Sequence, residues 1–206
     1  VCMAVTISAR LQEKDPLWLF LVGPPGAGKT LLVESFMNRP DMTEYLSKIT
    51  RPALVSGFRG EDDYSILAKI IGRCLIVKDY TAIVSLPLGI QEELYGILRD
   101  IYDGRCVVPF GNMDPKVFEG YFSMIAGVTD VIRSHNRAAL GERFLKLELL
   151  DERTHDPTKH IRNALSAVED NIAEKAASEE HLRESVAAFM DRPFDERKLP
   201  KIPEWL

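Results

Sequence analysis

This chain predicts an α/β fold, a three-layer sandwich whose mostly parallel five-stranded sheet is followed by a small helical lid. Three observations carry the prediction. Apolar runs of strand length alternate with stretches of helical period. A glycine-rich turn separates the first such run from the first helix. Strand-like runs stop near Asp151, after which only helical stripes remain. Strands joined by helices lie parallel and are covered on both faces, so they read as continuous apolar runs.

Residues 3–12 form a short helix closed by Asp15-Pro16. Leu17 to Val22 is the first strand, and the helix after the glycine turn runs to about Asn38, before Pro40. A second strand is expected at Ala53-Leu54-Val55-Ser56, then an acidic loop with Glu61, Asp62 and Asp63, and a short helix over 64–71. Cys74 to Val77 is a strand ending in Lys78-Asp79. Ile90, Leu94, Ile97, Leu98 and Ile101 mark one face of a helix over 89–102. Asp103-Gly104 ends it and opens a hairpin over 105–118 that turns at Gly111-Asn112. A strand over 121–128, a helix over 131–140 and a last strand over 144–150 complete the core. Ile161, Ala164, Leu165, Val168 and Ile172 form one further stripe, and Leu182, Val186, Phe189 and Met190 another. The division is therefore a nucleotide-binding core over 1–152 and a helical lid with an irregular, proline-marked tail over 153–206.

The glycine turn carries the chemistry. Residues 23–30 read GPPGAGKT, between a strand and a helix start, which is the order of a phosphate-cradling P-loop, or Walker A turn. Glycines at 23, 26 and 28 free the backbone so that successive N–H groups face an anion, and the following helix adds its positive end. The nucleotide-contacting residues are expected to be Gly23, Pro24, Pro25, Gly26, Ala27, Gly28, Lys29, Thr30 and Leu31. Lys29 reaches the β/γ-phosphates and the Thr30 hydroxyl ligates Mg²⁺, so ATP with Mg²⁺ is the expected cofactor and the fold is that of a P-loop NTPase. Such a site needs an acidic group at a neighbouring strand tip, and Asp79 is the candidate metal-side carboxylate. A surface aspartate with no such duty is its plain alternative.

The order of motifs resembles AAA+ ATPases over most of the chain. CLIVKDYTAIVSLPLGIQEELYGILRDIYDGRCVVPFG is similar to the acidic strand, helix and hairpin of minichromosome-maintenance helicases and bacterial enhancer-binding activators. YFSMIAGVT is similar to their sensor strand, with Thr129 where asparagine is common, and LGERFLKLEL to the arginine-finger stretch. KDYT, IYDG, IAGVT and LGERF together look most like little-described ATPases of bacteria, phages and mobile elements. The resemblance implies catalytic roles for Lys29, Asp79, Thr129 and Arg143, with Arg143 reaching a neighbour's γ-phosphate. Arg133 and Arg137 are the fallback fingers, and a surface pairing of Arg143 with Glu142 or Glu148 is the plain alternative. Arg162 and Arg183 are the available sensor arginines of the lid. The resemblance also implies a homo-oligomeric ring, with a hexamer as a candidate size, acting on DNA or a DNA-bound protein. The hairpin, with Arg105 and Lys116, is a candidate pore element or a plain connection.

One departure stands out. Where this family carries Asp-Glu, the chain has Lys78-Asp79, so the catalytic pair is incomplete. Slow hydrolysis, or a carboxylate borrowed from Glu61, Asp62 or Asp63, follows. Turnover by an oligomeric motor, a nucleotide-gated assembly with weak turnover, and a small-molecule kinase all remain open, although the arginine cluster usual over a kinase's acceptor is not seen.

Composition bounds the rest. With 206 residues and 46% hydrophobic content the chain can bury a full core. A net charge of -5 gives no general attraction to nucleic acid or anionic membrane, so any DNA contact is local or comes from a ring. Cys2, Cys74 and Cys106 show no paired spacing, which suggests a reducing, cytoplasmic setting, with Cys74 a buried apolar residue. No run approaches membrane-spanning length and no leader is visible; a start at Val1 suggests a piece of a longer protein. His155 and His160 lack cysteine neighbours and do not suggest a metal site, while Trp18 suits the core and Trp205 a docking contact.

Overall fold

The computed structural model describes residues 1–11, 16–37, 39–54, 66–110, 113–133, 143–149 and 172–192. Its centre is a five-stranded parallel sheet in the order β2-β3-β6-β1-β7, formed by β1 (Trp18–Val22), β2 (Thr43–Leu46), β3 (Cys74–Val77), β6 (Ser123–Val128) and β7 (Phe144–Glu148). β4 (Arg105–Phe110) and β5 (Met113–Glu119) pair antiparallel as a separate hairpin. The hairpin has the expected two-residue spacing, because Phe110 pairs with Met113. The turn pair itself, residues 111–112, lies outside the described residues.

Strand burial explains the sequence pattern. All residues of β1, β3 and β6 are buried, and their side chains alternate between two cores. Trp18, Phe20, Val22, Leu75, Val77, Met124, Ala126 and Phe144 share one core with Leu94, Leu98 and Ile101 of α6 (Leu88–Tyr102) and with Cys106 and Phe118 of the hairpin. Leu19, Leu21, Cys74, Ile76 and Ile125 share the other with α1 (Cys2–Ser8), α2 (Lys29–Glu34) and α7 (Ile172–Met190). The result is the expected three-layer sandwich. Val186 and Met190 of α7 are buried in one core with Val33 of α2 and Phe36 just after it, so the second predicted stripe has found its surface. Phe189, predicted in that stripe, instead faces outward at 38% exposure and meets Arg192. The first stripe falls outside the described residues, apart from Ile172.

Two expectations are corrected. The segment 53–56 is not the second strand: α3 (Arg51–Leu54) occupies its start, and the strand is Thr43–Leu46. Thr50 is the reason, because its hydroxyl accepts the Ala53 N–H at 3.3 Å and its carbonyl accepts the Leu54 N–H at 3.1 Å, a helix start that the following proline suits. Ile90 is 49% exposed, and the buried residue of that turn is Gln91, whose Nε2 donates to the carbonyls of Ile83 and Val84 at 3.2 and 3.0 Å. Those carbonyls end α5 (Thr81–Val84), a short helix that the sequence reading had not separated. The helix expected over 131–140 begins as a 3-10 turn, Asp130–Arg133, and its remainder lies outside the described residues. α4 (Ile66–Ile70) matches the short helix expected there. Trp18 is buried as expected, with its indole N–H donating to the Phe122 carbonyl at 3.0 Å.

The three cysteines are free and buried. Burial pushes the Cys74 thiol up to about 12, and raises Cys2, Cys106, Tyr80 and Tyr95 as well. The folded chain holds the Cys74 proton more tightly than the unfolded one, so this stability is complete below the ordinary thiol value of 9.0 and is lost as pH rises toward 12. Cys74 removes up to about 1.4 kcal/mol per pH unit in that window, and the other raised groups act in the same direction. Urea unfolding at about pH 8 and about pH 10.5 should show the loss, and a flat profile would contradict the burial of these groups.

Candidate functional site

Parallel strands place the following loops at one edge of the sheet, and a cleft opens there where the chain reverses direction across it. The cleft measures about 670 Å³, within the usual range for small-ligand sites. Its lining includes Pro25, Gly26, Gly28, Lys29, Thr30 and Leu31 of the glycine loop, Lys78, Asp79 and Thr81 after β3, Gly127 and Thr129 at the end of β6, and Glu34 and Glu179 from α2 and α7.

The loop obeys its sequence at two of its three glycines. Gly26 and Gly28 have φ of 82° and 80°, the left-handed region that a Cβ disfavours. Gly23 does not share that conformation, and its role is close approach: a Cβ there would lie 3.1 Å from the Leu149 carbonyl oxygen and 3.3 Å from the Ala27 Cβ. The Lys29 ammonium donates to the carbonyls of Gly23 and Pro24 at 2.6 and 2.7 Å, so it is held inside the loop. Desolvation lowers its pKa, against the opposing charges of Asp130 and Asp79.

Behind the loop, β6 separates β1 from β3, and this puts Thr129 between the loop and the acidic strand end. The Thr129 N–H donates to the Thr81 hydroxyl at 3.1 Å, and the two hydroxyls stand 3.4 Å apart. Asp79 accepts the Thr81 N–H at 2.9 Å, which holds its carboxylate at the start of α5. Lys78 turns the other way and pairs with Glu34 at 2.9 Å, and that partner raises its pKa. Gly127 makes this crowding possible: a Cβ there would lie 2.7 Å from the Lys78 carbonyl oxygen and 3.9 Å from the Lys29 Cβ.

Arg143 lies elsewhere. It precedes β7, whose first residue is in register with the first residue of β1, so it sits at the opposite sheet edge from the loop, about 16 Å away along the strands. It pairs with Asp103 at 3.3 Å and lies over the Tyr102 ring at 5.4 Å, not with Glu148. Glu148 instead holds Arg133, which also binds Asp130, both at 3.1 Å. Arg183 pairs with Glu180 on α7. Arg137, Arg162, Glu61, Asp62, Asp63, Glu142, His155, His160 and Trp205 fall outside the described residues, as does the Lys116 side chain.

Sequence reasoning missed Glu34, Thr81, Asp130 and Glu179. Glu34 alone left a local signal, since it follows Thr30 by four residues and shares its helix face. Glu179 lies on α7, whose other end is held by the core and by Arg39, which pairs with Asp191 and donates to the Ala187 carbonyl.

No protein-family model matches this chain. Among solved structures it is similar to the NrS-1 C-terminal region, with a TM-score of 0.52 and 11% identity over 96% of this chain and 42% of that one. It is also similar to the JCV helicase, with a TM-score of 0.50 and 16% identity over 95% of this chain and 51% of that one. The JCV helicase bound to a thiazolopyridine compound gives a TM-score of 0.50, 14% identity and coverages of 95% and 52%. The chain thus spans about half the length of these proteins, and at such identities the likeness establishes a shared fold. That fold is the P-loop arrangement found in a helicase, a coarser grouping than the minichromosome-maintenance and activator set that the motifs resemble.

Replacing Gly127 with Ala should push the Lys78 carbonyl away, at a cost of about 1–3 kcal/mol in urea unfolding. Amide NMR shifts at Lys29 and Thr129 should move together. Unchanged stability and spectra would show that the approach is not tight.

Proposed function

We propose that this chain is an ATPase that binds and hydrolyses ATP with Mg²⁺ at the subunit interfaces of an oligomeric ring, as a helicase-like motor or remodeller on DNA or a DNA-bound protein. The observation that carries it is the convergence of the glycine loop, Asp79, Thr81 and Thr129 on one cleft, built from segments far apart in sequence. A plain glycine-rich turn has no reason to gather them. The motif likeness to AAA+ ATPases and the fold shared with the JCV helicase support the same reading.

The residues fit the cofactor. Left-handed Gly26 and Gly28 turn backbone N–H groups toward a polyphosphate, and nothing lies within 4 Å of a Cβ placed on Gly28. Among the described residues no cluster of three or more acidic, histidine or cysteine side chains could hold a metal alone. Mg²⁺ suits such a site, since it takes one or two protein ligands and completes its shell with water and phosphate oxygens. Thr30 and Asp79 would hold it, and it would neutralise charge on those oxygens. Lys29 supplies a directed positive charge from within the loop. Thr129 and Thr81 offer paired hydroxyls that can orient water. Asp79, already tied to the Thr81 N–H, keeps its second oxygen for the metal or for water.

Arg143 stands too far from its own loop to serve it, so the finger role belongs to a neighbouring protomer's site. A core over 1–152 and a lid over 153–206, in a cytoplasmic protein, complete the reading. Among the described residues no helix is long and apolar enough to cross a membrane. The Lys78–Glu34 pair favours a second version, a nucleotide-gated assembly with weak turnover.

Lys29→Ala should weaken ATP binding by at least about a hundredfold in a fluorescent-nucleotide titration, the loss of a charged contact to phosphate. Unchanged affinity would refute the phosphate site. Arg143→Ala, and Arg143→Lys as a control that keeps the charge, should abolish turnover while nucleotide binding persists. A monomer in ATP whose turnover survives both changes would overturn the ring reading. Turnover measured with single- and double-stranded DNA, beside a mass measurement in ATP, separates the two versions: DNA stimulation supports the motor, and tight assembly with little turnover supports the gate.

A further inference from the structure

Two cations and three carboxylates line the cleft: Lys29 and Lys78 against Glu34, Asp79 and Glu179. A polyphosphate entering such a site brings several more negative charges into a lining that is already net acidic. Each resident cation therefore matters more than in a basic pocket. Lys29 is held within the loop by two carbonyls. Lys78 is the other.

The position of Lys78 is specific. Its backbone leaves β3 beside Gly127, whose Cβ would lie 2.7 Å from its carbonyl oxygen, and its ammonium crosses to α2 and meets Glu34 at 2.9 Å. Glu34 lies one helical turn, about 6 Å, below Thr30 on the same helix face. The ammonium thus stands beside the face that carries Thr30. Its side chain is 41% exposed, so it can turn about its flexible stem without disturbing the core.

Resting on the nucleotide reading above, we propose that Lys78 is a resident counter-cation of the polyphosphate site, held in reserve on Glu34, and that it takes over part of the neutralisation that a divalent cation supplies. The strand-end lysine is then an adaptation that makes nucleotide binding weakly dependent on Mg²⁺. Glu34 keeps the ammonium near the loop before the ligand arrives and competes with phosphate for it afterwards.

The test measures binding of a fluorescent ATP analogue to the full chain in Mg²⁺ and in EDTA, with circular dichroism to confirm folding. Wild type should lose less than about tenfold in affinity when Mg²⁺ is removed. Lys78→Met should lose about tenfold more in EDTA while changing little in Mg²⁺, and Lys78→Arg should restore the Mg²⁺-free binding. Glu34→Gln should strengthen Mg²⁺-free binding in wild type, and by clearly less in the Lys78→Met background. If Lys78→Met binds in EDTA as wild type does, or Lys78→Arg fails to restore a loss, the counter-cation is refuted while the nucleotide site stands. If wild type binds the analogue in neither condition, the nucleotide reading falls and takes this one with it.

Discussion

The site depends on one close approach. At the end of β6 the chain carries Gly127, and the space where a side chain would begin is filled by the Lys78 carbonyl oxygen, 2.7 Å from an ideal Cβ. The Tyr80 N–H donates to the Gly127 carbonyl at 2.8 Å, which draws the segment after β3 across the end of its neighbour strand. Lys29, from the helix after the loop, comes within 3.9 Å of the same point. Three separate parts of the sequence are thereby brought together at one residue that lacks a side chain. Tyr80 is fully buried against Phe20 and Phe144, so the packed core fixes the segment from behind. Asp79 and Thr81 flank that anchor and point the other way, into the cleft.

Much of this was legible in the sequence because it is local. The glycine loop, the apolar run 74–77 and the hairpin each carry their own signal, and each occurs where the pattern put it. The second strand was misread for an equally physical reason. Ala-Leu-Val-Ser has strand-like composition, yet Thr50 three residues earlier caps a helix and the threonine–proline spacing decides the local backbone. The actual edge strand, Thr-Glu-Tyr-Leu, opens with two polar residues and buries only Thr43, the weaker pattern of an edge. Glu179 and Asp130 could not be read at all, since only the tertiary fold brings them to the loop. Glu34 could have been, from its four-residue spacing to Thr30, had the helix face been considered as well as its first turn.

Arg143 shows how a parallel sheet sorts function by edge. Loops that follow strands lie at one edge and residues that precede strands lie at the other, and no side chain spans the difference. The aromatic and acidic setting of Arg143, over Tyr102 and against Asp103, holds a guanidinium at the surface of the edge opposite the cleft. Its side chain is 28% exposed, so part of it stays accessible. An arginine held this way stands out of reach of its own loop. The alternative, Arg133, is nearer the loop through Asp130, but Asp130 and Glu148 both engage it.

The charge balance at the cleft bears on the proposed nucleotide reading. A strand-end carboxylate in the usual place serves the metal and the water, and both demands are electrostatic. In the proposed site an ammonium where a carboxylate is usual leaves the acidic pair one short and adds a positive charge, which favours a polyphosphate more than the hydroxide needed to attack it. Binding is then strengthened relative to chemistry, because stabilisation spent on the ground state does not lower the barrier to transfer. Glu34 moderates this by engaging the ammonium, and its carboxylate becomes available whenever Lys78 turns to phosphate. On the proposed reading, such a site holds nucleotide better than it turns it over. On the proposed reading, an arginine from a neighbouring protomer supplies the transition-state charge that the incomplete acidic pair does not.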